Sequence, residues 1–163
     1  MKQKNYQNLT KNTLGKLPVW NLKDLYESPK AKNLNNDLNE LRRITKKFEK
    51  KYTYKITKLS PSQLLKAIIE LENIDIKIDK IMSYAHLLVA EDGNNEKNKI
   101  FYQQMQEQIT NIASSIVFFS LELNEVSNAK LNKIYADKKL EPYKNWIKNI
   151  RKFKPYQLDV KTE

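Results

Sequence analysis

The chain of 163 residues has no cysteine, one histidine (His86), two glycines (Gly15 and Gly93) and five prolines. The missing cysteines exclude a disulfide scaffold, thiol catalysis and cysteine-based zinc sites, and they suit a reducing compartment, with the cytoplasm as the expected location. With one histidine, an H-E-x-x-H pair cannot occur, and the positions one turn from His86 are Met82 and Ala90, neither of which suits a zinc site. A structural or surface histidine is expected. Glycines only at 15 and 93 leave no room for a phosphate-cradling glycine loop or a G-x-S-x-G nucleophile turn. Scarce glycine and proline among good helix formers favour an all-α chain over any sheet. Long apolar runs are also missing: the segment from Ile112 to Leu123 is interrupted by Ser114, Ser115, Ser120 and Glu122, well short of the roughly 20 residues that span a bilayer. No membrane partner is expected.

Positive charge is abundant. The 30 basic residues against 19 acidic ones give a net charge of +11. Its distribution is uneven, for residues 1–58 carry 15 basic and 5 acidic side chains, residues 59–128 carry 5 and 10, and residues 129–163 carry 10 and 4. Of the basic residues, 27 are lysine and only Arg42, Arg43 and Arg151 are arginine, the residue better suited to bidentate phosphate and guanine contacts. Lysine, asparagine and isoleucine, whose codons are all A/T-rich, together supply 60 residues, so base composition accounts for the lysine excess better than nucleic-acid binding does. The nine tyrosines and two tryptophans are not interleaved with lysine as a stacking face for bases; Tyr84, Tyr135, Tyr143 and Trp146 fit helix faces as core or boundary residues.

The first sixteen residues are polar, lack a signal-peptide apolar region, and read as a disordered tail. From Leu17 to Pro29 an irregular segment carries many large apolar residues and is expected to dock on the helices. Apolar positions at 34, 38, 41, 44, 48 and 52 define a first helix to about Tyr52. Ser60-Pro61-Ser62-Gln63 combines an N-cap, a proline at the first helical position and a capping-box glutamine, and so starts a second helix running to about Ala90. Its apolar stripe takes in Leu64, Ile68, Leu71, Ile74 or Asp75, Ile78, Ile81 and Ala85. Asp92 to Asn95 ends it, and a third helix is expected from about Glu96 to Val126. Two helices of this length, each about 45 Å long and joined by so short a turn, must lie antiparallel. Shorter helices follow at about 129–138, capped by Ser127-Asn128, and at about 143–153. The predicted fold is an all-α helical bundle on a long antiparallel hairpin (61–90 and 96–126), with a preceding helix and two shorter C-terminal ones.

Two acidic groups need weighing. Glu70, Glu72, Asp75 and Asp79 share the second helix with Lys77 and Lys80, the pattern of a solvated face. Glu122 sits in the apolar run Phe118 to Leu123, where a carboxylate needs a partner or a raised pKa; a salt bridge to a lysine or arginine is the expected compensation.

Several segments, in order, are Trp20-Asn21-Leu22-Lys23-Asp24-Leu25-Tyr26, Phe48-Glu49-Lys50-Lys51-Tyr52, Ser83-Tyr84-Ala85, Phe118 to Leu123, Leu140-Glu141-Pro142-Tyr143, and Ile150 to Leu158. In that order they resemble the N-terminal helical domain of oligoendopeptidase F, of the M3 family of zinc metallopeptidases. The resemblance covers about residues 17–158, leaving 159–163 as a truncated linker. It implies a cytoplasmic family that hydrolyses oligopeptides with an H-E-x-x-H zinc site in a C-terminal domain. It also implies a structural role for the N-terminal domain, which helps to enclose the substrate channel. No catalytic, cofactor-binding or metal-binding residue carries over; zinc belongs to the full-length family. The expected partner is a C-terminal catalytic domain or its separately encoded equivalent, with oligopeptides as substrates only of the complete enzyme. The chain alone is expected to be inactive and is read as a truncated or split product. Two alternatives remain: a basic helical module binding nucleic acid or acidic partners, and a helical subunit docking on a separate catalytic half.

Overall fold

A computed structural model describes residues 21–157; the expected polar tail (1–16), the start of the irregular segment (17–20) and residues 158–163 lie outside the described part. Within it the chain is all-α, with helices α1 (Lys32–Tyr52), α2 (Pro61–Glu91), α3 (Glu96–Ala113), α4 (Phe118–Asn124), α5 (Asn128–Ala136) and α6 (Lys144–Arg151). Short 3-10 turns lie at Leu22–Asp24, Ile56–Lys58, Ser114–Ile116, Lys138–Tyr143 and Lys154–Tyr156.

The boundary at α2 forms as the sequence dictates. The Ser60 side chain accepts from the Gln63 amide (3.3 Å) and the Gln63 side chain accepts from the Ser60 amide (2.9 Å), so both orphan donors are satisfied reciprocally. At the hairpin turn Asn95 caps α3 through the backbone amides of Lys97 and Asn98, while the Asn98 side-chain amide donates back to the Leu88 carbonyl (2.9 Å) and ties the two helices. Ile74 is the buried choice on α2 and Asp75 faces out. Helix α1 buries Leu34, Leu38, Leu41, Phe48 and Tyr52 as the spacing predicts, with one substitution of role: Thr45 is 1% exposed, while Ile44 is only half-buried.

The predicted third helix is not continuous to Val126. It ends at Ala113, tightens into the 3-10 turn at Ser114–Ile116, and resumes as α4. Three serines mark the break, because the hydroxyls of Ser114, Ser115 and Ser120 donate to the carbonyls of Asn111, Ile112 and Val117, each three residues back. Such side-chain bonds compete with regular helix hydrogen bonding. The apolar spacing survives the break, so Phe119 and Leu123 are still buried against α1 and α6.

The described part of the irregular segment docks through Tyr26, 1% exposed, whose ring lies edge-on to Tyr84 at 5.2 Å. Its hydroxyl donates to Asp37 on α1 (2.8 Å), and Lys80 on α2 donates to the same carboxylate oxygen (3.0 Å) with its ammonium 4.4 Å from the centre of the Tyr26 ring. Burial first, then the neighbouring Asp37, pushes the Tyr26 phenol well above its usual range. Desolvation alone would raise the Asp37 carboxyl, but the bonds from Tyr26 and Lys80 and the charges of Lys80 and Lys77 outweigh it and hold it below the usual range. A carboxyl depressed in the folded state stabilises above its unfolded pKa, near 3.9, and that contribution is lost as pH falls through the folded value. Asp37→Asn is therefore expected to lower the urea midpoint at pH 7 and to narrow its gap to the parent chain as pH falls below about 4. A constant gap from pH 7 to 3 would show that the carboxylate charge contributes nothing.

Candidate functional site

The residues singled out by their chemistry lie apart. His86 is exposed on α2, edge-on to Tyr102 with ring centres 6.1 Å apart. Its surroundings, Met82, Ser83, Leu87 and Tyr102, form an open depression without a carboxylate. No group of three or more His, Cys, Asp or Glu is placed to hold a metal ion among the described residues. The donor set does not fit zinc, and no catalytic step is routed through it.

On α2, Glu70 accepts from Lys51 and from the Tyr52 hydroxyl (3.0 Å), and Glu72 accepts from the Tyr143 hydroxyl (2.7 Å). The lysines between the carboxylates do not pair with them; Lys77 reaches Glu40 (2.9 Å) and Lys80 reaches Asp37, both on α1. The face expected to be solvated therefore also cross-links the bundle. Asp75 is exposed by surface area, yet desolvation first, then the charges of Asp79 and Glu72, raise its carboxyl above the usual range. Asp75 borders a half-open depression beside Trp146, which removes part of the water around it while leaving it exposed.

Glu122 is held differently from expectation. Its carboxylate takes the backbone amides of Tyr54 and Ile56 (3.0 Å for the latter), in the turn that leaves α1. No lysine or arginine pairs with it among the described residues. Two amides replace the predicted cation because the α1–α2 connection brings unpaired N–H groups to the carboxylate, and a carboxylate is a strong acceptor for them.

The feature that sequence reasoning missed is at the C-terminal end. Helix α4, helix α6 and residues 153–157 enclose an open groove of about 440 Å³ walled by Leu121, Trp146, Ile150, Phe153 and Tyr156. Phe153 is 69% and Tyr156 82% exposed. At its edge lies Asn124, only 4% exposed: its amide donates to Gln157 (2.8 Å), and its backbone carbonyl accepts from Arg151 (2.8 Å) and Lys154 (2.7 Å). Its side-chain oxygen is buried without a partner among the described residues. The bonds to the Asn124 carbonyl set Arg151 and Lys154 at the border of the groove, where Lys154 also pairs with Glu125 (3.5 Å). Arg151 also donates to the Leu123 carbonyl (2.8 Å), closing the C-terminal end of α4 with positive charge where the helix dipole favours it. Apolar walls and a buried acceptor thus lie together on one open surface of the bundle.

Comparison with known proteins places this geometry. The fold is that of a helical domain found within a larger protein: a crystal structure titled "putative peptidase from Chlamydophila abortus" superposes with a TM-score of 0.66 at 18% identity, covering 86% of this chain. The chain spans 23% of the length of that structure. The peptidase M3 N-terminal family model, described as oligopeptidase F, matches residues 122–163, and no curated protein matches. With the fold shown by the structural neighbour, the family match supports an N-terminal domain of an oligoendopeptidase F-like protein. Among the described residues no helix is long and apolar enough to cross a membrane.

Proposed function

We propose that this chain is the non-catalytic N-terminal part of an oligoendopeptidase F-like zinc metalloendopeptidase, and that the groove between α4 and α6 seats the catalytic half of that enzyme. The observation that carries the reading is a coincidence of position: the family match at 122–163 falls on the stretch that contains Asn124, Trp146, Phe153 and Tyr156. The zinc ligands and the water-activating glutamate belong to polypeptide outside these 163 residues, and the helical bundle contributes a wall. A cytoplasmic setting fits a chain without cysteine. The basic border calls for an acidic flank on the seated surface, and the Asn124 oxygen calls for an N–H donor from it.

Purified 1–163, supplied with zinc and a fluorogenic oligopeptide, is expected to show no chelator-sensitive cleavage. Tagged 1–163 expressed in its own cells is expected to be recovered with a polypeptide bearing an H-E-x-x-H motif. Chelator-sensitive hydrolysis by the chain alone would sink the reading.

A further inference from the structure

A second groove, of about 300 Å³, lies on the opposite side of the break in the third helix, between α1 and α3. Its two walls have the same spacing: Arg42, Thr45, Lys46 and Glu49 on α1 face Gln108, Asn111, Ile112 and Ser115 on α3 and the turn that follows it. Positions i, i+3, i+4 and i+7 share one helix face, so each wall is a continuous stripe. The occupants of these stripes are mostly polar, in a place where two packed helices ordinarily present apolar side chains to each other.

Arg42 donates through one nitrogen to the Asn39 side chain (3.1 Å) and through the other to the Gln108 side chain on α3. Both acceptors are neutral amides. The guanidinium is thus oriented by neutral groups, and neither Arg42 nor Lys46, one turn further, has an ion pair among the described residues. Beside them Thr45, 1% exposed, keeps a hydroxyl buried with no hydrogen-bond partner among the described residues. A valine would fill the same space without that cost. An oriented arginine, a lysine and an unpaired hydroxyl on adjoining positions are the donors that bind an oxyanion. Asn111 brings two further N–H donors to the opposite wall.

We propose that this groove is a binding site for a compact oxyanion, a phosphate or a carboxylate, held by Arg42 and Lys46, with the Thr45 hydroxyl turning from its enclosed position beneath the groove to complete it. Glu49 lines the far end, one turn beyond Thr45, and sets the size of the ligand: an extended polyanion such as nucleic acid would meet its carboxylate, whereas a single oxyanion at the Arg42 and Gln108 end would not. The site is separate from the C-terminal groove, with which it shares no lining residue, and stands whether or not that groove seats a catalytic half.

The test is calorimetric titration and thermal melting of intact 1–163 with inorganic phosphate and, separately, with acetate, at constant ionic strength set by chloride. Constant ionic strength keeps the general screening of a +11 chain the same throughout the titration. Saturable binding is expected, with Arg42→Met and Lys46→Met each weakening it by about tenfold or more. Because Lys46 is exposed, its variant keeps the test decisive if Arg42→Met folds poorly. Thr45→Val is expected to melt about 2–4 °C higher than the parent in chloride alone, since it removes an unpaired buried hydroxyl, and to bind the anion more weakly. Saturation by phosphate alone identifies a phosphoryl ligand, by acetate alone a carboxylate, and by both the shared chemistry. The proposal is overturned if neither anion acts beyond chloride, or if Lys46→Met and Thr45→Val bind as the parent does.

Discussion

Replacing Glu122 by alanine is expected to cost about 3 kcal/mol of unfolding free energy, among the largest losses available from a single polar side chain in this protein. The carboxylate holds the amides of Tyr54 and Ile56, which follow the end of α1 and have no place in its hydrogen-bond ladder. Tyr54 has φ of 62°, a left-handed conformation that costs a non-glycine residue roughly 1–2 kcal/mol, so the turn exists only while something over-determines it. Each charge-assisted bond from an amide to the carboxylate is worth about 1.5–3 kcal/mol, and removing the acceptor leaves two donors to compete for water beside the buried Ile56. Glu122→Gln should fall between parent and alanine, since its amide oxygen can keep one N–H but its NH2 group faces the other. Urea unfolding at pH 7 measures the series. Equal midpoints for parent and Glu122→Ala would show that the turn is held by packing alone.

That anchor also marks the boundary between what the chain's order reveals and what it conceals. The capping box at Ser60, the buried stripe of α1 and the hairpin turn at 92–95 were legible because each is local: the residues that satisfy one another lie within four positions. The break at Ser114 was not, because Ile109, Ile112, Phe119 and Leu123 keep helical spacing on both sides of it and periodicity is blind to a tightened turn. A carboxylate in an apolar run announced that Glu122 needs a partner. It could not announce which one, since the amides that serve it are 66 and 68 residues away. The surface position of His86 was legible for the same reason that the caps were: its neighbours one turn away, Met82 and Ala90, are a local property of the sequence. The two grooves were not legible for the opposite cause: the exposure of Phe153 and, among the described residues, the unpaired hydroxyl of Thr45 depend on neighbours far away in the chain.

The same substitution at two phenylalanines separates the finished core from the surface left to be covered. Phe48 is 2% exposed and lies 4.8 Å from Tyr52 and 5.9 Å from both Phe118 and Phe119, joining α1 to the segment beyond the break. Phe48→Ala is expected to cost about 3–5 kcal/mol, because the removed ring leaves a cavity that the packed helices around it close only in part. Phe153 has the same chemistry but 69% of its surface in water, so in isolated 1–163 its replacement by alanine should change stability by less than about 0.5 kcal/mol. Its loss should appear only when the groove is filled, as weakening by about tenfold or more of the complex with the H-E-x-x-H polypeptide recovered from cells. Urea unfolding of the two variants, followed by binding of Phe153→Ala, checks both halves. A Phe153→Ala chain as unstable as Phe48→Ala would mean that the groove is already occupied within these 163 residues and that the seat for a catalytic half lies elsewhere on the bundle.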